Sequence, residues 1–339
     1  MLYPFAQPQE SGHLERAHGQ RIYWEALGSP EGEPIVMLHG GPGAGCSAMS
    51  RRFFDLNKYR VILWDQRGCA RSATPVDSMS PLEVMREREQ MLKHLSFENM
   101  VEDMDALRAH LGIERWSVFG GSWGTTLALG YAQAFPDRVK RMLLRGVFTS
   151  SKEEIDWLYS EVGAAQMFPI EWVRFYTDFL SLASALRHQI KASPGELESR
   201  EILGVFEKAF LSEDPQLQTR AALAWGQWEQ SIMSLQGAAE VSPADHQRNF
   251  EMGLISCHLF LHDPVLLGRQ LWSNLPLIAS MPCDIVQGQF DAVTPAKTAW
   301  VLSQKMKNCR LQLIRQAGHA SSDPELTRAL VRVLDNWTF

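Results

Sequence analysis

The chain has 339 residues, enough for one large domain or a main domain carrying an insert. Apolar residues at 45% and charged residues at 21% are the ordinary balance of a globular protein. A formal net charge of −6 gives no reason to bind nucleic acid or an anionic membrane surface, and no apolar run reaches the roughly 18 residues of a spanning helix.

The opening "MLYPFAQPQESGHLER" has neither a basic n-region nor an apolar h-region, so a secretion signal is not expected. Five cysteines, Cys46, Cys69, Cys257, Cys283 and Cys309, are scattered and form no C-x-x-C. They read as reduced thiols of a cytoplasmic protein.

Strand-like and helix-like text alternates over residues 1–150. "EPIVMLHG" is an apolar run ending in glycine, as a buried strand does, and "RVILWDQRG" is a second. "NMVEDMDALRAHLG" opens on Asn99 with Glu102 three residues on, a capping-box pattern. Val101, Met104, Leu107 and Leu111 then recur at helical spacing until Gly112. "RWSVFGG" reads as a third strand, "TTLALGYAQAF" as a helix stopped by Pro136, and "RMLLRGVF" as a fourth strand. This alternation predicts a parallel sheet with helices on its faces.

From about Ser151 to Leu275 the text turns helical. "KEEIDWLYSEVGAAQMF", "EWVRFYTDFLSLASALRHQI", "ELESREILGVFEKAF" and "QTRAALAWGQWEQSIMSL" are amphipathic and separated by Pro or polar breaks, with "ASPGELES" (192–199) the most linker-like stretch. Strand text returns at "CDIVQGQFD" and "LQLIRQAGH", and "DPELTRALVRVLDNW" is a final helix. The expected organisation is a discontinuous α/β domain, residues 1–150 and 276–339, with a helical block, 151–275, inserted in it.

Gly120, Gly121, Ser122, Trp123 and Gly124 read G-x-S-x-G between a strand and a helix. That is the setting of a nucleophile elbow, a sharp turn that lifts a serine hydroxyl above the sheet edge. Large side chains two residues either side would clash, which suits Gly120 and Gly124. The helix N-terminus behind the serine favours developing negative charge. A glycine-rich turn whose serine merely caps the helix fits the same letters.

A serine hydroxyl needs a base and a group to orient that base. On this architecture the chain order is serine, acid, histidine. "VQGQFDAVTP" puts Asp291 after one strand, and "IRQAGHA" puts His319 in the loop after the next. Both fall at strand carboxyl ends, where open α/β sheets place their sites. A turn aspartate and a surface histidine are the bland alternatives for each alone. His39 reads as structural support for the glycine loop that follows it, and His258 and His262 lie in the helical block. For the oxyanion, Trp123 offers the N–H after the nucleophile, and "LHGGPG" offers Gly41, with Gly40 its rival.

"HGGPG", "DQRGCARS", "GGSWGTTLAL", "LLRGVF", "AWGQWEQS", "GQFDAVTP" and "QAGHA" together resemble the prolyl aminopeptidases (proline iminopeptidases) of the α/β-hydrolase superfamily, in order and over nearly the whole chain. The resemblance implies an α/β-hydrolase fold with a mostly parallel sheet and an inserted helical cap. It implies removal of an N-terminal proline from short peptides with no metal or organic cofactor. It gives Ser122, Asp291 and His319 the nucleophile, orienting-acid and base roles. The family's W-x-x-W-E motif is matched by Trp225, Trp228 and Glu229, where a carboxylate beside aromatic walls suits a free α-ammonium next to an apolar ring; a packed cap helix with a solvated glutamate is the alternative. "LLRGVF" carries over Arg145 and Phe148 as pocket residues, with an ion-pair role under the cap the alternative for Arg145.

The chain departs from the family pattern in several places. Ser256 in "SCHLF" stands where a second acidic residue is common, and Leu259 where an aromatic one is. Leu158 in "DWLY" replaces a tyrosine, and Ala70 in "DQRGCARS" replaces a glycine. An exopeptidase acting on N-terminal proline or another small residue is therefore the first expectation. An ester, lactone or amide hydrolase acting on a non-peptide metabolite is the second, and a receptor that kept the fold the third. No clustered His/Cys/carboxylate ligand spacing is legible, so no metal is expected. The expected partner is a short peptide or small-molecule substrate.

Overall fold

In the computed structural model, residues 2–76, 78–190, 198–234, 242, 245–267 and 270–339 are described. Eight strands form one sheet: β1 (Glu10–Glu15), β2 (Arg21–Gly28), β3 (Glu33–Leu38), β4 (Tyr59–Trp64), β5 (Trp116–Gly121), β6 (Val139–Arg145), β7 (Cys283–Gly288) and β8 (Cys309–Ile314). Their order is β1-β2-β4-β3-β5-β6-β7-β8. The first two pairings are antiparallel and the rest parallel.

Six of these strands are the ones the sequence predicts. The β1–β2 hairpin is an addition. β1, ESGHLE, is a mostly exposed edge strand with two glutamates, so it carries no apolar run to read. β2 buries a charge, Glu25, which Arg51 clamps through two hydrogen bonds of 2.8 and 2.9 Å.

The helices before the insert are α1 (Pro81–Lys93), α2 (Phe97–His110) and α3 (Trp123–Ala134). α2 corrects the capping expectation. Its N-cap is Ser96, whose hydroxyl accepts from the Asn99 N–H at 3.2 Å, so Asn99 lies inside the helix rather than before it. Full capping boxes occur instead at Ser80/Glu83 and Ser151/Glu154.

Between β6 and β7 lie α4 (Lys152–Tyr159), α5 (Pro169–Ala185), α6 (Ser199–Phe210), α7 (Pro215–Met233) and α8 (His246–His262), then two four-residue turns, α9 (Pro264–Leu267) and α10 (Gln270–Ser273). The first predicted helix of this block is broken. α4 ends at Tyr159, and a 3-10 turn follows at Ala164–Gln166. Residues 192–197 of the linker-like stretch lie outside the described residues. After the insert, α11 (Ala296–Lys305) joins β7 to β8, and α12 (Pro324–Asn336) closes the chain. No helix among the described residues is long and apolar enough to cross a membrane.

Both sheet faces are covered, and the period of two sorts the side chains. Val36, Leu38, Val118, Met142, Leu144 and Ile285 join a core shared with α2, α3 and the inserted helices. Ile35, Phe119, Leu143 and Val286 point the other way, against Leu326, Leu330 and Leu334 of α12. The parallel register aligns the carboxyl edge. Leu38 pairs with Gly120, Gly121 with Arg145, and Gly288 with Ile314. The loops after β3, β5, β7 and β8 therefore emerge along one rim.

Candidate active site

Ser122 sits between β5 and α3 with φ 56° and ψ −126°, a region that non-glycine residues avoid at a cost of roughly 1–3 kcal/mol. The neighbouring glycines make that turn possible. A Cβ on Gly120 would stand 2.4 Å from the Gly124 carbonyl oxygen, and one on Gly124 would stand 2.3 Å from that of Leu38. The serine does not cap α3 through its side chain. It is left half-exposed to a cavity of about 210 Å³ at the rim.

His319 faces the same cavity from the loop after β8, and Asp291 stands behind it. The two Asp291 oxygens lie 3.0 and 2.8 Å from His319 Nδ1. Asp291 is itself held by four donors: the Val293 and Thr294 N–H groups at 3.0 and 2.8 Å, the Thr294 hydroxyl at 3.0 Å and Gln287 Nε2 at 2.9 Å. A carboxylate so bound keeps Nδ1 protonated and presents Nε2 as the free base. Burial lowers the His319 pKa, Asp291 opposes this and Arg145 adds to it, so the imidazole is neutral at pH 7. No hydrogen bond joins Ser122 Oγ to His319 among the described residues, though both line one cavity.

Gly146 explains part of "LLRGVF". Its φ is +58°, and a Cβ there would meet His319 Cε1 at 2.7 Å. Arg145 lines the cavity and donates to the His319 carbonyl at 2.7 Å, so it holds the histidine loop through a backbone oxygen. Phe148 also lines the cavity, packed edge-on against Phe260 at 5.9 Å.

Gly40 and Gly41 form the wall beside Ser122. A Cβ on Gly40 would come within 3.1 Å of the serine Cβ. Gly41 has φ +109°, and Trp123 occupies the first position of α3, where an N–H has no carbonyl one turn earlier to bond. His39 ties these pieces together. Its Nδ1 donates to the Gly40 carbonyl at 2.9 Å, and its Nε2 accepts from the Gln66 N–H at 2.9 Å. Gln66 in turn accepts from the Trp123 indole at 2.8 Å. The "HGGPG" loop, "DQRG" and the elbow are thus one hydrogen-bonded unit.

The inserted helices close the cavity. Glu229 reaches it from α7, and the Tyr159 hydroxyl at the end of α4 donates to Glu229 Oε1 at 2.7 Å. Burial pushes the Glu229 carboxyl up to about 7, the tyrosine hydrogen bond pulling the other way. Trp225 and Trp228 do not line the cavity. Trp225 stacks on Tyr159 at 4.9 Å, and Trp228 stacks on Phe175 at 5.4 Å while donating to the Leu158 carbonyl at 3.0 Å. They wall the segment that holds Glu229 and Tyr159 rather than the cavity itself. Ser256 is buried within α8, away from the cavity lining, whereas Leu158 lines it.

Sequence reasoning missed Tyr159, Thr294 and Gln287. The last two lie beside Asp291 in "VQGQFDAVTP" and were within reach of a hydrogen-bond argument. Tyr159 was visible only as the residue after Leu158. Trp157 was missed too; it donates to the Ala292 carbonyl at 2.7 Å and joins α4 to the loop of Asp291.

The family model described as "alpha/beta hydrolase fold" matches residues 33–325. The chain is 34% identical to the proline iminopeptidase of Xylella fastidiosa (strain 9a5c), over 99% of each chain. It is 33% identical to that of Neisseria meningitidis serogroup A, over 99% of this chain and 98% of the other. Among solved structures, a loop variant of the haloalkane dehalogenase DbeA from Bradyrhizobium elkanii is similar in fold, with TM-score 0.59 and 16% identity over 96% of each chain. By fold and by this identity along its whole length, the chain belongs to the proline iminopeptidase family of α/β hydrolases.

Proposed function

We propose that this protein is a serine exopeptidase that releases an N-terminal proline, or another small residue, from short peptides through an acyl-enzyme. The observation that carries the reading is one cavity lined by Ser122, His319 and Glu229, with Asp291 clamped behind the histidine.

Glu229 accepts the substrate ammonium and sets the scissile carbonyl against Ser122. Ser122 Oγ attacks the carbonyl carbon as its proton passes to His319 Nε2. The Gly41 and Trp123 N–H groups receive the oxyanion. Collapse of the tetrahedral adduct breaks the C–N bond, and His319 returns the proton to the departing amine. Water then attacks the ester by the same route, giving up a proton to His319, and the carboxylic acid and free Ser122 are restored. The helices of 151–275 form the cap that limits entry to short chains.

The second reading, an ester, lactone or amide hydrolase, is favoured by the lining itself. Glu229 is the sole carboxylate among the described cavity-lining residues, and Leu158 presents an apolar face there.

The test is a serine-directed phosphonylating reagent together with a panel of prolyl, alanyl and other aminoacyl anilides beside acyl esters. Labelling of Ser122 and a preference for unblocked prolyl anilide are expected. Labelling elsewhere refutes the nucleophile, and preference for acyl esters over every aminoacyl anilide moves the second reading ahead.

A further inference from the structure

Outside the cavity, the insert contains a second constellation of chemically able side chains. His258 and His262 are four residues apart on α8, hence on one face of it, with ring centroids 5.2 Å apart. Both turn toward Glu207 of α6. The Glu207 oxygens lie 3.0 and 2.9 Å from His262 Nε2, and Oε1 lies 3.4 Å from His258 Nδ1. One donor atom from each residue falls within 4.8 Å of the other two. None of the three lines the cavity of Ser122.

We propose that Glu207, His258 and His262 form a binding site for a first-row divalent metal ion, Zn2+ by preference, that staples α8 to α6. Two imidazole nitrogens and one carboxylate oxygen are the donor set that suits zinc rather than calcium or magnesium. Zinc bonds of about 2.0–2.2 Å put tetrahedral ligands roughly 3.3–3.6 Å apart, so the present separations need only small side-chain adjustments. The carboxylate supplies the negative charge. His262 is 49% exposed, which gives the ion a path in and leaves a fourth position for water. On binding, the direct contact between His262 Nε2 and Glu207 is replaced by a shared metal.

The site is structural in its consequence. α8 also bears Arg248 and Met252 at the cavity, so fixing α8 to α6 fixes part of the cap.

The experiment titrates chelator-treated full-length protein with Zn2+ by calorimetry and with Co2+ by visible absorption, and follows Tm. One equivalent is expected, with a tetrahedral Co2+ spectrum and a rise in Tm. His262→Ala and Glu207→Gln should each weaken binding at least tenfold, while hydrolysis by the chelated wild type stays within about twofold, as expected where no ligand lines the cavity. Half-exposed His262 tolerates replacement, and His258→Asn is the companion variant should Glu207→Gln unfold. Absence of binding at millimolar Zn2+ overturns the proposal and leaves a hydrogen-bonded triad. Binding that all the variants retain overturns it too.

Discussion

The Tyr159 hydroxyl donates to Glu229 Oε1 at 2.7 Å across two helices of the insert, 70 residues apart in the chain. Among the described residues it is the one hydrogen bond given to a carboxylate that burial has pushed up to about 7. A group so poised is half ionised near neutrality, and a cationic substrate favours its charged form.

Glu229→Gln should lower kcat/KM for unblocked prolyl anilide by about one to two orders of magnitude, the equivalent of a charge-assisted hydrogen bond of about 1.5–3 kcal/mol. The N-acetyl substrate should be little affected. The measurement is the ratio of the two rates, and an unchanged ratio removes Glu229 from the amine site.

The pH profile of kcat/KM follows from the same pair, because it reports the free enzyme. Activity on the unblocked substrate should rise with pH through about 7 as Glu229 ionises, above a limb lower than 6.5 where His319 loses its proton. Glu229→Gln should erase the upper limb and keep the lower. Tyr159→Phe removes the influence that lowers the Glu229 pKa, so its upper limb should move to higher pH. Superimposable profiles for wild type and both variants would sink the assignment.

Stability should show the opposite face of this arrangement. Between pH 4.5 and about 7 Glu229 is protonated in the fold and ionised in the unfolded chain. The unfolded state binds fewer protons there, so stability falls as pH rises, by up to about 3 kcal/mol for a shift of this size. Contact with the cavity reduces that figure. Glu229→Gln should therefore gain on wild type in thermal melts as pH climbs from 5 to 8. A Tm difference that is flat with pH contradicts the buried carboxylate.

Ser122→Ala, Asp291→Ala and His319→Ala should each remove nearly all turnover while far-UV circular dichroism stays native. A double mutant should be little worse than a single one, because the groups act as a unit. Additive losses would mean independent roles.

Gly146→Ala places a Cβ 2.7 Å from His319 Cε1 at a backbone φ of +58°. The imidazole must shift from Asp291. We expect kcat to fall at least tenfold, with a stability loss of about 1–2 kcal/mol for the left-handed alanine. Full activity would show that the ring has room to give.

Ala70 adopts φ +47°, the left-handed region that favours glycine. Ala70→Gly relieves about 1–2 kcal/mol of backbone strain and adds about 0.4–1 kcal/mol of unfolded-state entropy. A small net gain in Tm is expected by calorimetry, and a drop would mean that the methyl group packs usefully.

The sequence alone determined the features that are local. Apolar runs marked the strands from β3 to β7, because a strand largely buried on both faces writes itself as hydrophobic text, while β8, alternating and partly exposed, was marked by its Leu311, Leu313 and Ile314. The glycines around Ser122 marked the turn, because only hydrogen fits against the backbone there. The order of Ser122, Asp291 and His319 followed from where those strands end. The tertiary structure decided what depends on distant partners. β1 was invisible because an exposed edge strand is stabilised by its neighbour rather than by its own pattern. Asn99 looked able to cap α2, but the backbone path gives that place to Ser96. Trp225 and Trp228 share a motif with Glu229, yet helix geometry sends the tryptophans into the helix packing and the carboxylate to the cavity. Tyr159 meets Glu229, and Glu207 meets His258 and His262, only because separate helices pack side by side. Helical periodicity fixes which face a side chain is on, but not which face of another helix it will meet.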